Sequence, residues 1–125
     1  MNRTTTTSGP VEVTFTTGAI RSRDRDKLDF EGFISPLVWL RFAEYMHKHR
    51  QLSDGSFRGS DNWQKGIPQE SYVKSLLRHA MDVWLIHRGF GEKAREPIEE
   101  ALCAILFNAQ GLLFEILRAK ESVER

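Results

Sequence analysis

Between Pro97 and Lys120 the chain carries an apolar pattern that runs almost the whole way round a helix. Ile98, Leu102, Ile105, Leu106, Ala109, Leu112, Leu113, Ile116 and Leu117 fall on one broad face at helical spacing, and Phe107 and Phe114 lie on the other side. A helix apolar on nearly all sides is expected at the centre of its fold, with the other elements packed against it. Its few polar positions then carry information. Glu100, Asn108 and Glu115, with the small Ala104 and Gly111 between them, form a second stripe where another element can approach closely. An unpaired buried carboxylate is costly and a buried amide needs partners, which Lys65, Arg78, His79 or a divalent cation would supply. The plainer alternative leaves Glu100 and Glu115 wet near the helix ends and Asn108 bonded to a neighbouring backbone.

Two further helices are predicted. Ser35-Pro36 pairs an N-cap residue with proline at the first helical position, and Leu37, Leu40, Phe42, Ala43, Tyr45 and Met46 keep helical spacing to about His49. The next helix runs from about Gln69 to His87, closed by Gly89. Its core face is expected to be Val73, Leu76, Leu77, Ala80 and Trp84. Ser75, His79 and Asp82 fall nearly opposite, a stripe that becomes a site only if something covers it, and Arg78 and Asp82 form an i, i+4 pair. Residues 1–10 are polar and expected to be disordered. Val11-Glu12-Val13-Thr14-Phe15-Thr16 alternates as one short strand, Gly18 turns the chain, and residues 21–27 read as a solvated loop. The expected fold is mainly α: a three-to-four-helix compact domain over residues 11–120, with an extended or short β N-terminal arm and a polar tail over 121–125.

At 125 residues, one domain suffices. With 18 basic and 17 acidic residues the net charge is +1, and the basic residues of the 21–27 segment are interleaved with acids, so no nucleic-acid partner is implied. The single Cys103 excludes an internal disulfide and reads as a buried thiol in a reducing compartment. No apolar segment follows Met1, and the longest apolar run, residues 101–114, is too short for a bilayer. The expectation is a cytoplasmic protein without a membrane partner. A lone strand and two polar stripes in need of cover are compatible with a homodimer.

Residues 51–66 hold three glycines among serines and aspartates and form a long loop, a length at which loops tend to carry function. The loop ends in Asp61-Asn62-Trp63-Gln64-Lys65-Gly66-Ile67-Pro68, directly before the helix bearing Ser75, Arg78 and His79. Unpaired N–H groups at a helix start, together with Lys65, suit an anion, phosphate first. The plain reading makes Gly66-Ile67-Pro68 a turn and Trp63 a core anchor. Glu44 is either an edge residue or a metal or nucleotide contact. His47 and His49, two residues apart, point to different sides of a helix and read as surface residues.

Asn62-Trp63-x-Lys65-Gly66-Ile67-Pro68 followed by Ser75-x-x-Arg78-His79 resembles the signature of the phage and prophage dATP/dGTP diphosphohydrolase N-terminal-type family. Phe15-Thr16-Thr17-Gly18-Ala19-Ile20-Arg21, Lys27-Leu28-Asp29-Phe30, Ile34-Ser35-Pro36 and Leu40-x-x-Ala43-Glu44 are similar to its opening, and Glu100 to Ala104 with Phe107-Asn108 to its Asp-His-Leu-Ala…Trp-Asn helix. Two positions depart from it. Phe57-Arg58, after an apparent insertion over residues 51–56, stands where the family has Lys-Tyr, and Ala101 replaces a histidine. The resemblance implies a pyrophosphohydrolase acting on purine deoxynucleoside triphosphates, host-cytoplasmic if phage-encoded. His79 and Glu100 would be catalytic; Asn62, Trp63, Lys65, Ser75, Arg78 and Asn108 would bind the nucleotide; Glu44, Glu100 and Glu115 would hold Mg²⁺ or Mn²⁺, hard ions suited to carboxylates. The alternatives are a nucleotide-sequestering protein without turnover and a small helical structural protein.

Overall fold

The structure, a computed structural model, describes residues 10–24 and 27–124, and the chain divides into two units, Met1–Ser35 and Pro36–Arg125. In the first unit strands β1 (Pro10–Thr14) and β2 (Ile20–Asp24) pair antiparallel, with Thr14 opposite Ile20 and Pro10 opposite Asp24. The expected lone strand therefore finds its partner within the chain. Residues 21–24, the start of the expected 21–27 loop, belong instead to the second strand. Charged residues are tolerated there because a two-stranded ribbon leaves much of its surface in water. The turn is fixed by Gly18 at φ +88°, with the Phe15 N–H donating to the Ala19 carbonyl at 2.8 Å. A one-turn helix α1 (Phe30–Phe33), which the sequence pattern does not announce, is capped by Asp29 accepting from the Gly32 N–H at 2.8 Å.

The second unit contains α2 (Pro36–Lys48), a 3-10 turn (Asn62–Lys65), α3 (Gln69–His87), a second 3-10 turn (Gly91–Lys93) and α4 (Ile98–Glu124). The protein is mainly α with a short β arm. Proline sets the start of α2, and Gly89 at φ +87° follows the end of α3. Residues 121–124 continue α4 rather than forming a tail. Tyr72, early in α3, packs on Gly111 deep in α4, whereas His79 and Asp82 meet Glu96 and Arg95 just before α4 begins, so the two helices form an antiparallel hairpin.

Packing inside this hairpin follows the small residues, not the large apolar ones. Ala101, Cys103, Ala104, Asn108 and Gly111 are the buried positions of α4. Tyr72 is only 1% exposed, and a Cβ on Gly111 would lie 2.2 Å from its ring, so the ring occupies the space that a side chain at 111 would need. Phe107 touches the same ring edge-on, centroids 6.0 Å apart. The small stripe is thus the seam where another element approaches. The expected core faces are corrected: Val73, Leu77 and Trp84 of α3, and Ile98, Leu102, Leu113, Ile116 and Leu117 of α4, are exposed. Asp82, placed on the solvated side by periodicity, is 2% exposed. Close approach on the small stripe turns α3 so that Tyr72 and its polar side face inward.

An exposed helical Gly→Ala exchange gains about 1 kcal/mol from propensity. Gly111→Ala is expected to reverse that sign, because expelling the Tyr72 ring costs about 1–3 kcal/mol beyond the gain. A urea titration checks this, and the same exchange made in a Tyr72→Ala background should lose most of its penalty.

Candidate functional site

The segment between α2 and the Asn62–Lys65 turn is not irregular. Gln51 and Phe57 form an isolated antiparallel bridge, the Leu52 N–H donates to the Ser56 carbonyl at 2.7 Å, and Gly55 turns at φ +88°. Asp54 accepts from the Ser56 hydroxyl at 2.5 Å and from the Ser56 N–H at 2.9 Å, and these bonds, the hydroxyl's first, hold its carboxyl below the usual aspartate range. This miniature hairpin brings its two flanking arginines together: the Arg58 N–H donates to the Arg50 carbonyl at 3.0 Å. Arg50 is held further by donating to the His47 carbonyl at 3.0 Å and by stacking 5.2 Å over the Phe57 ring.

Below the arginines lies a cleft of about 550 Å³. The C-terminal half of α2 lines it with Phe42, Tyr45, Met46 and His47, the segment that follows with His49, Arg50, Arg58, Ser60, Asn62, Trp63 and Ile67, and α4 with Phe107 and Gln110. Trp63 stands edge-on to Phe114 at 4.9 Å and to Phe107 at 6.4 Å, so its ring both packs on α4 and forms a wall of the cleft. None of the lining residues is acidic, while two arginines and two histidines are present. Burial, with the charges of Glu96 and Glu100, pushes the Tyr45 hydroxyl up to about 12, so it is a neutral hydrogen-bonding group at physiological pH. Aromatic and aliphatic walls with a few convergent cationic and amide groups are the features of a site for a flat, anionic ligand.

Ion pairs hold the cleft's frame. Glu115 accepts from Arg118 at 2.6 Å and from the Ile67 N–H at 3.3 Å, and Arg118 donates to the Gln64 carbonyl at 3.0 Å. That clamp ties the Gln64–Ile67 turn to α4. Glu100 pairs with Lys48, which holds its carboxyl below the usual range, and Arg41 bonds Glu99 at 2.9 Å, joining α2 to the start of α4.

Of the residues singled out from sequence, Asn62 and Trp63 line the cleft together. Lys65 and Arg78 are exposed and outside it, Ser75 is half-buried on α3, and the Asn108 amide is spent on the Ala104 carbonyl at 2.8 Å. Glu44 is exposed on α2. Glu100 and Glu115 lie fifteen residues apart on one helix, about 22 Å along its axis, so no single ion reaches both. The carboxylates that do meet a histidine are others. His79 Nδ1 pairs with Glu96, and one ligand atom from each of His79, Asp82 and Glu96 lies within 4.8 Å of the other two. One nitrogen with two carboxylates suits Mn²⁺ or Zn²⁺ better than Mg²⁺. Both oxygens of Asp82 are engaged by Arg95, at 2.7 Å and 3.1 Å on one and 3.3 Å on the other, in place of the expected Arg78 pair. The resting arrangement is therefore an Asp82–Arg95 ion pair beside a His79–Glu96 hydrogen bond.

His47, His49, Arg50, Arg58 and Gln110 are the lining residues that sequence reasoning misses. The signal available is the basic run His47-Lys48-His49-Arg50 ending a helix beside a glycine-containing loop. A scan of family models, a search of curated proteins and a search of solved structures each found no match to this chain.

The Asp82–Arg95 pair makes a pH prediction. The Arg95 hydrogen bonds hold the Asp82 carboxyl below the usual range, so its stabilisation is complete above about pH 4 and is lost as pH falls through the lowered native value. Asp82→Asn should lower the urea midpoint at pH 7, and the gap to wild type should close below about pH 4.

Proposed function

We propose that the chain binds a nucleoside phosphate in the cleft, the base against Trp63 and Phe107 and the phosphates toward Arg50 and Arg58. The carrying observation is the composition of the lining: aromatic walls and amides beside four basic side chains, without one carboxylate. Stacking on an aromatic face accepts any base, and Asn62 and Gln110 offer the donors and acceptors that would read its edge. Arginine forks match phosphate geometry. The resemblance to the dATP/dGTP diphosphohydrolase N-terminal-type family favours a purine deoxynucleotide, and Asn62-Trp63 is part of the motif that carries it. In this reading the chain retains its ligand without turnover, because an acid-free cleft supplies neither carboxylate oxygens for Mg²⁺ nor a carboxylate base.

One observation favours hydrolysis as a second reading. His79, Asp82 and Glu96 converge, and Glu96 is close enough to Tyr45, a cleft residue, to disfavour its ionisation. If a divalent cation displaced Arg95, these three would hold it, and it would supply charge neutralisation to a phosphate brought to it.

Equilibrium dialysis against a mixture of deoxy- and ribonucleoside triphosphates separates the two, run without metal and then with Mg²⁺ and Mn²⁺, with chromatography of retained and free nucleotides. Retention of an intact subset is the expected result. Monophosphate and pyrophosphate, lost in His79→Ala, would establish the second reading, and neither retention nor product would overturn both. Arg58→Ala should weaken retention roughly 10- to 100-fold, the worth of one charged hydrogen bond, while stability stays within about 0.5 kcal/mol of wild type.

A further inference from the structure

The α3–α4 hairpin has two sides. One carries the cleft, the Trp63 cluster and the His79–Glu96 and Asp82–Arg95 pairs. On the other, Val73, Leu77 and Trp84 recur along α3, and Leu102, Leu113 and Ile116 along α4, each at three- to four-residue multiples. In an antiparallel pair whose seams are Tyr72, Leu76, His79 and Val83 on one helix and Ala101, Ala104, Asn108 and Gly111 on the other, both stripes project to the same side. They are uncovered: Leu77 is 64% exposed, Trp84 56% and Leu113 55%. None of the six is charged or polar.

We infer that this face is the interface of a homodimer, in which two α3–α4 hairpins pack face to face as a four-helix bundle. The area fits. With their apolar neighbours the six side chains leave roughly 700 Å² open to water, close to the ~800 Å² that each partner contributes to a standard interface. The form also fits, since two parallel apolar stripes on a helical hairpin are self-complementary about a twofold axis and bundle packing needs no other shape. Among the described residues only Tyr72, Ala101, Cys103 and Ala104 are buried apolar side chains, so the second unit's own core is small and covering this face would enlarge it. By length and composition α4 could instead cross a bilayer, but Glu99, Glu100, Glu115, Arg118, Lys120 and Glu121 lie along it and their desolvation opposes that. The inference is independent of what the cleft binds.

Sedimentation velocity on the full chain, with hydroxyl-radical footprinting of the same sample, tests it. A mass of twice 14.4 kDa is expected. Leu77, Met81 and Trp84 should be modified far more slowly than Phe57, a comparably exposed residue on the cleft hairpin. Leu113→Glu, present twice across the axis, should raise the dissociation constant by about 100-fold or more. If that variant fails to fold, the wild-type footprint decides alone. A monomer with a freely modified face, a monomer whose face is covered by its own residues 1–35, a dimer in which those side chains stay reactive, or a monomer that binds phosphatidylcholine vesicles through them would each overturn the inference.

Discussion

The contact of the Tyr72 ring with the bare backbone at Gly111 sets the rest of the second unit. An aromatic ring lying where a Cβ would stand brings α3 onto the small-residue seam of α4 and fixes the rotation of both helices. Because the seam is Ala101, Ala104, Asn108 and Gly111, the large apolar side chains of α4 cannot also face α3. They are divided between two outer sides. Phe107 and Phe114 take Trp63 and shape the cleft, and the leucine and isoleucine stripe is left open. The same rotation carries His79 and Asp82 inward, where a charge is tolerable only if paired, and Glu96 and Arg95 supply the partners.

The cleft's charge pattern follows from this arrangement. The acids that tie α2 and the 64–67 turn to α4 are already committed: Glu99 and Glu100 to Arg41 and Lys48, Glu115 to Arg118 and the Ile67 N–H. The cavity lining holds Arg50 and Arg58, brought together by a seven-residue hairpin whose turn is written in Asp54 and Gly55, with the His47 and His49 imidazoles at and just after the end of α2 beside them. A surface net charge of +1 conceals this local imbalance, since electrostatics at a site depends on which charges are left unpaired there.

Element boundaries were legible in the sequence where the chain carries its own punctuation. Ser35-Pro36 opens α2, Gly66-Ile67-Pro68 precedes α3, and Gly89 follows it. Helix orientation was not. Periodicity identifies the face of α3 that wants cover, Val73 to Trp84, but does not say whether the cover comes from the same chain, and the Tyr72–Gly111 fit outweighs it. Asn62 and Trp63 are visible as a motif, and the structure sets both on the cleft wall. Arg50 and Arg58 are invisible as a pair because their meeting depends on one backbone hydrogen bond across the small hairpin. The pairing of Glu96 with His79 is invisible for a similar reason: Glu96 precedes Pro97, outside the helix, and reaches His79 only because the short 88–97 connection folds α4 back along α3.

The proposed seat of the nucleoside phosphate is the acid-free aromatic cleft. Two-dimensional NMR of the nitrogen-labelled chain during a dGTP titration tests it at the residues concerned. The account predicts saturable shifts of the Trp63 indole N–H and of the Arg50 and Arg58 guanidinium Nε–H signals, with the Asp82–Arg95 surroundings little changed. Shifts confined to Arg95 and the His79 side of α3, or no saturable shift at Trp63 and the two arginines, would contradict it.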